Sequence, residues 1–339
     1  MTYLTKAVLC IMIGFLSSVL LSIIIIPYLK KKKIDQSLSI YLERTHEGKK
    51  GTPTMGGLIF IISTLISFTI LTLLGKIEFS YNLLIVIFTF IGYSLIGFID
   101  DYLIIKKRNN KGLTENQKLI LQIIVAIIFF YLFLIADNEP LLWIHTLHIK
   151  LSIGKFYGLF ILFVLLAASN AVNITDGLDG LATGLSIIAF TTFGILTFSS
   201  GWLEGYEEIA IFEFLLVGSL IGFLLFNAHP AQIFMGDTGS LTLGATLGTI
   251  AILTRHELLL VVIGIVFVLE TLSCIIQRIY YKNTKKRIFP MTPIHHTFEK
   301  IGWSEVDIVR LFWTIGLIAG MLGLIYGVIL WKSILNIYF

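Results

Sequence analysis

Polar residues in this chain cluster between long apolar runs, and the runs have the length of membrane spans. A helix of about 20 apolar residues crosses a hydrocarbon core of about 30 Å. By that measure spans are predicted at about 5–29, 56–74, 82–99, 118–136, 154–170, 181–199, 209–226, 239–254, 258–280 and 308–331. The eighth is short and interrupted by glycine. Between the fourth and fifth, Trp143–Leu151 alternates roughly in polarity, which predicts a small hairpin. The first run ends at Leu29 with no small-residue cleavage site before Lys30, so it is expected to remain a span. No repeat, heptad or low-complexity tract divides the chain. The expected fold is an all-α polytopic membrane protein with about ten helices and one integral membrane domain over residues 1–339.

Composition agrees. The 339 residues are 56% hydrophobic and 14% charged, with mean hydropathy +0.91, against about 45–50% and 25% in soluble domains. Cys10 and Cys274 lie inside apolar runs and offer neither a disulfide framework nor a CxxC metal signature. The placement of charge says more than its total. Nineteen of the 25 Lys and Arg follow spans one, three and nine. The positive-inside rule therefore puts both termini outside and the odd-numbered exits in the cytoplasm. The partner implied is the membrane, not a nucleic acid.

The same odd-numbered exits carry the chemistry. After span one comes the basic Lys49-Lys50-Gly-Thr-Pro-Thr-Met-Gly-Gly57; after span three, Asp100-Asp101-Tyr102. Span five leads into Asn170-Ala-Val-Asn-Ile-Thr-Asp-Gly-Leu-Asp-Gly180, which reads as a loop because Gly177 and Gly180 favour turns. Span seven exits through Asn227 to Ser240, and span nine through Phe289 to Glu299 with His295-His296. Lys49 and Lys50 serve either as orientation signals or as point charges toward phosphate. Adjacent acids at the end of span three face a repulsive helix dipole, which a cation or a proton would offset. Clustered carboxylates imply a hard cation such as Mg²⁺. His145 and His148 have no further ligand near in sequence, and His295-His296 lack zinc spacing. Lysines, acids, histidines and a divalent ion at one membrane face suit phosphoryl transfer between a nucleotide and a lipid. No P-loop or GxGxxG is present, so nucleotide recognition would be built from these loops.

Thr52-Pro-Thr-Met-Gly-Gly57, Asp100-Asp101-Tyr102, Asn170–Gly180, Phe234-Met-Gly-Asp-Thr-Gly-Ser240 and Pro293-Ile-His-His-Thr-Phe-Glu299 together resemble the polyprenyl-phosphate N-acetylhexosamine-1-phosphate transferase superfamily. The Pro-Ile-His-His loop resembles its muramoyl-pentapeptide branch, with Thr297 where that branch often has a third histidine. The resemblance implies transfer of phospho-MurNAc-pentapeptide from UDP-MurNAc-pentapeptide to undecaprenyl phosphate, giving lipid I and UMP, at the cytoplasmic face of a bacterial inner membrane. It implies Mg²⁺ on Asp237, Asp100 as base toward the lipid phosphate with Asp101 beside it, and His295 in catalysis. Lys49, Lys50, Thr54, Asn170, Asn173, Asp176, Gly177, Leu178, Asp179, Asn227, Phe234, Gln277 and His296 would contact substrate. Membrane lipids are the other partners implied, and a homodimer is compatible with all of this. Two alternatives compete: a sister enzyme transferring GlcNAc-1-phosphate from UDP-GlcNAc, and a lipid or solute transporter. The transporter reading would rest on Glu270, a mid-span acid with Gln277 one to two turns on.

Overall fold

The computed structural model describes residues 2–32, 49, 51–107, 112–144 and 149–329. Lys50 and the pair His145 and His148 lie outside the described residues. Twelve helices follow one another: α1 (Tyr3–Lys31), α2 (Gly57–Leu73), α3 (Tyr81–Lys107), α4 (Glu115–Ile135), α5 (Tyr157–Thr175), α6 (Leu181–Phe198), α7 (Tyr206–Asn227), α8 (Gly236–Leu253), α9 (Glu257–Ile263), α10 (Ile265–Thr284), α11 (Ile294–Lys300) and α12 (Glu305–Leu324). The chain is a multi-pass, all-α membrane protein. Between α4 and α5, strands β1 (Leu141–Ile144) and β2 (Ile149–Ser152) pair antiparallel, Leu141 opposite Ser152.

Among the described residues seven helices are long and apolar enough to cross a membrane, and α9 with α10 makes an eighth candidate bent by 85°. The predicted continuous span 258–280 is therefore broken, at Gly264, where α9 ends and α10 begins. The two runs that fall short of the test are α2, with 17 residues, and α8. Helix α8 needs no lipid-like surface because Thr238–Leu253 are all buried within the protein. Its threonines satisfy themselves: Thr242, Thr246 and Thr249 donate to carbonyls one turn back at 2.7, 2.7 and 2.9 Å.

Small residues let the neighbours of α8 come close. A Cβ at Gly244 would lie 2.2 Å from the Ala168 carbonyl oxygen of α5, and one at Gly97 of α3 would lie 2.2 Å from that of Asp237. Backbone meets backbone at both points, so α8 is clamped along its length by α3 and α5. Its N-terminus holds Asp237. Its C-terminal turn holds Arg255, whose guanidinium donates to the Leu141 and Glu139 carbonyls at 2.9 and 2.7 Å and so ties down the β1–β2 hairpin. Eighteen residues at 1.5 Å each make α8 about 27 Å long, close to the hydrocarbon thickness. The hairpin and Asp237 thus mark opposite ends of the bundle.

Two helices run further than their hydropathy indicated. The acids Asp100 and Asp101 sit inside α3, which continues to Lys107, and Asn170 and Asn173 sit in the last turns of α5. Only residues 176–180 of the predicted loop are non-helical.

Gly244→Val should lower thermal stability in detergent by more than the about 1–3 kcal/mol typical of overpacking, since only backbone atoms can yield. Gly201→Ala, with open space around it, should leave the melting temperature unchanged.

Candidate active site

The first cluster gathers at the N-terminus of α8. Asp101 points its carboxylate at that end: it accepts from the backbone N–H of Asp237 at 3.1 Å and of Thr238 at 2.9 Å, and from the Thr238 hydroxyl at 2.6 Å. The positive end of the α8 dipole faces this acid. Gly236, in a left-handed conformation with φ +75°, brings its backbone so close that a Cβ would stand 2.6 Å from Asp101 Oδ2. Asp101 thus supports the site and has little acceptor capacity left for a proton transfer.

Asp237 and Asp100 face each other across an ammonium. Lys118 Nζ lies 2.7 Å from Asp237 Oδ2 and 3.4 Å from Asp100 Oδ1. Asp100 Oδ1 also accepts from the Leu113 backbone at 2.8 Å, and Asp237 Oδ1 from Asn173 at 2.8 Å. Asn173 reaches on to Ser240 Oγ at 2.9 Å. One oxygen from each of Asp100, Asp101 and Asp237 lies within 4.8 Å of the others, so the three could hold a metal ion. The donor set is oxygen only, which suits a hard cation. Lys118 is absent from the sequence-based site because it reads as one more basic residue at a membrane surface. Its place directly after Gln117, which closes the Thr114 capping box, was the available signal.

A second cluster forms around Asp179 and Lys49. The Lys49 ammonium contacts Asp179 Oδ1 at 2.7 Å and Glu305 Oε1 at 2.6 Å. Glu305, at the start of α12, also accepts from the Asp179 backbone N–H at 2.6 Å. The second Asp179 oxygen takes the Ala231 N–H at 3.0 Å and faces His229 Nδ1 at 3.2 Å. Glu305 and His229 carry no motif that marks them in the sequence. Between the clusters stands Asp176. Burial, then the nearby Asp237, Asp101 and Asp179 carboxylates, raise its pKa to about 7.

Other predicted residues are spent on holding loops. Asn227 accepts from Thr183 at 2.6 Å and donates to the Ile233 carbonyl at 3.0 Å. The Gln277 carbonyl accepts from the Ile288 and Phe289 backbones, both at 3.0 Å. Asn170 donates to the Leu166 carbonyl in its own helix at 2.8 Å. Thr54 is buried beside Gly236, and half-buried Phe234 is held by its N–H to the Pro53 carbonyl at 2.8 Å. Leu178 is buried in the apolar core.

On α11 the two histidines turn to different acids. His295, fully buried, lies 3.1 Å from Glu270 Oε2, and His296 lies 2.5 Å from Glu299. Glu270 is thus engaged inside the bundle. His295 Nε2 presses against Gly177, where a Cβ would stand 2.3 Å away, so α11 abuts the 176–180 loop. Thr297 donates to the Met291 carbonyl at 2.5 Å, closing the loop that precedes α11.

These elements compose a polar site in a multi-pass helical protein, with both clusters drawn from α3, α4, α5, α8, α12 and the loops between helices, which suits an integral-membrane transferase. Residues 83–255 match the glycosyl transferase family 4 profile, and residues 49–61 match phospho-N-acetylmuramoyl-pentapeptide-transferase signature 1. The chain is 47% identical over 314 residues to the phospho-N-acetylmuramoyl-pentapeptide-transferase of Bacillus licheniformis, covering 93% of this chain and 95% of that one. It is 46% identical to the protein of the same name from Bacillus subtilis, over 93% and 95%, and 46% identical to that of Staphylococcus saprophyticus, over 93% and 98%. The chain belongs to the phospho-N-acetylmuramoyl-pentapeptide-transferase family.

Asp237→Ala should cut turnover by about two to three orders of magnitude, the usual cost of deleting a group that stabilises developing charge. A steady-state assay decides it. A pH series tests Asp176. Folded Asp176 holds its proton to about pH 7, whereas the ordinary value is 3.8. Unfolding in that window releases a proton, so stability falls as pH rises through it. Without divalent ions, the melting temperature of Asp176→Asn should gain on that of the unaltered protein between pH 4 and 7.

Proposed function

We propose that this protein transfers phospho-MurNAc-pentapeptide from UDP-MurNAc-pentapeptide to undecaprenyl phosphate, giving lipid I and UMP. The observation that carries the reading is the meeting of Asp100, Asp237, Lys118 and Asn173 at one point, in a chain whose near relatives bear that activity in their names. The basic residues after α1, α3 and α10 support a cytoplasmic position for this end of α8. With α2 and the internal α8 included, ten spans with both termini outside remain the consistent arrangement, and the β1–β2 hairpin then lies outside.

The acceptor lipid has a path. An apolar groove of about 590 Å³ runs between α5 and the α9–α10 elbow, lined by Phe163, Val164, Val261, Phe267 and Leu272 among others, and reaching Asn170. Asn170 and Leu166 also border a polar pocket of about 400 Å³ that contains Lys118. A prenyl chain in the groove would bring its phosphate toward Lys118 and Asp100. Asp100, with one oxygen not bound to the Leu113 backbone, takes the proton from the lipid phosphate. A phosphate oxygen then attacks the sugar-bearing phosphorus in line; that P–O bond forms as the bond to UMP breaks, and UMP leaves. Direct attack is favoured over a covalent aspartyl intermediate, since Asp101 is committed to α8 and Asp237 to Asn173 and Lys118.

Mg²⁺ fits the Asp237 and Asp100 oxygens, and when bound it neutralises charge on the diphosphate. Lys118, between the two carboxylates, supplies a cation at the same place. Around the other cluster, Lys49 and Asp179 offer a paired donor and acceptor for the uridine diphosphate, with Phe234, three residues after Ala231, to stack on the base. His295 and His296 orient the sugar-peptide part beside Gly177. A homodimer is compatible with this arrangement.

Purified protein assayed with each UDP-sugar, with and without Mg²⁺, should form lipid I only from UDP-MurNAc-pentapeptide and only with the ion. Turnover of UDP-GlcNAc alone would overturn the branch assignment.

A further inference from the structure

Helix α10 carries three separate stripes. Val266, Glu270, Ser273 and Gln277, spaced i, i+4, i+7 and i+11, are buried against the bundle. Leu272, Ile275, Ile276 and Ile279 form an exposed apolar face that continues from the wall of the α5–α10 groove. Arg278 and Lys282, at i and i+4, lie on the third edge, and Lys285, Lys286 and Arg287 follow just past the end of the helix. All five cations are exposed, and none forms a salt bridge with a described residue. The other basic residues near the active site are neutralised: Lys49 by Asp179 and Glu305, Lys118 by Asp237 and Asp100. The second half of α10 is also unsupported, since Gln277 is the last of its residues to be buried.

The C-terminal half of α10, at the end of this bent span, is apolar on one exposed edge and cationic on the next, the make-up of an interfacial segment. We propose that the basic edge of α10, Arg278 to Arg287, is a binding site for the headgroups of anionic phospholipids in the leaflet that faces the active site. The apolar edge sits among acyl chains while the lysines reach outward to phosphates, as long cationic side chains do at a membrane interface. Because the apolar edge runs into the groove wall, lipids held here would stand at the groove mouth, on the approach of a polyprenyl phosphate. The site is independent of the transfer chemistry, and its test uses no sugar nucleotide.

The full chain is reconstituted in vesicles of phosphatidylcholine and phosphatidylglycerol at 4:1, and contact with each lipid is read from the motionally restricted fraction of spin-labelled species. Phosphatidylglycerol should be enriched over phosphatidylcholine by about threefold or more, and 1 M NaCl should remove most of that preference. A variant with R278Q, K282Q, K285Q and K286Q should fall to near parity, while K282R with K285R and K286R keeps the preference and controls for folding. Parity in the unaltered protein, or undiminished enrichment in the glutamine variant, overturns the proposal. So does a charge-dependent preference confined to added undecaprenyl phosphate, which would make the edge part of the acceptor site. If the glutamine variant does not fold, the salt series alone decides: enrichment that persists in 1 M NaCl rejects the headgroup site.

Discussion

The interaction on which the site depends is the seating of the Asp101 carboxylate on the N-terminus of α8. A buried carboxylate is tolerated only if its lost hydration is replaced, and here two N–H groups and a hydroxyl replace it. Hydrogen bonds to a charged acceptor are worth about 1.5–3 kcal/mol each, so three of them recover part of a penalty of several kcal/mol. The exchange is mutual, because the first N–H groups of α8 have no helical partners of their own. Once α3 and α8 are joined in this way, Asp237 has to emerge beside Asp100, and the remaining geometry follows from neighbours reaching that point.

What reaches it comes with balancing charge. Lys118 stands between Asp100 and Asp237, and Lys49 between Asp179 and Glu305. Each lysine lets two acids stay near each other in a region with little water. Both are also positioned to meet phosphate. At Asp176, between the clusters, burial and then the Asp237, Asp101 and Asp179 carboxylates outweigh the pull of Lys49, and its carboxyl keeps its proton further up the pH scale. The groove along α5 and α10 and the polar pocket at Lys118 share Asn170 and Leu166, which gives a lipid acceptor a continuous route from hydrocarbon to charge.

The lengths of the apolar runs made the helical membrane fold legible, and the glycine- and aspartate-rich segments between them marked most of the polar site. Periodicity failed where burial replaced lipid. Helix α8 gave the weakest signal of the predicted spans, because its glycines and threonines from Thr238 to Leu253 are buried among other helices and need not suit lipid. Hydropathy also ended α3 and α5 too early: Asp100, Asp101 and Asn173 look like loop residues until their partners on α8 and α4 are known. Lys118, His229 and Glu305 illustrate a different limit. Each acts through a contact with a residue 50 or more positions away in at least one case, and no local pattern encodes such a contact. The break at Gly264 was equally hidden, since an isolated glycine inside an apolar run is compatible with a straight helix.

Binding of a divalent ion at Asp237 is the central claim, and titration of Mn²⁺ into the purified protein, followed by electron paramagnetic resonance, tests it most directly. One site per chain is expected, lost in Asp237→Asn and retained in Asp179→Asn. An unchanged isotherm in Asp237→Asn, or loss of the ion in Asp179→Asn alone, would contradict the account.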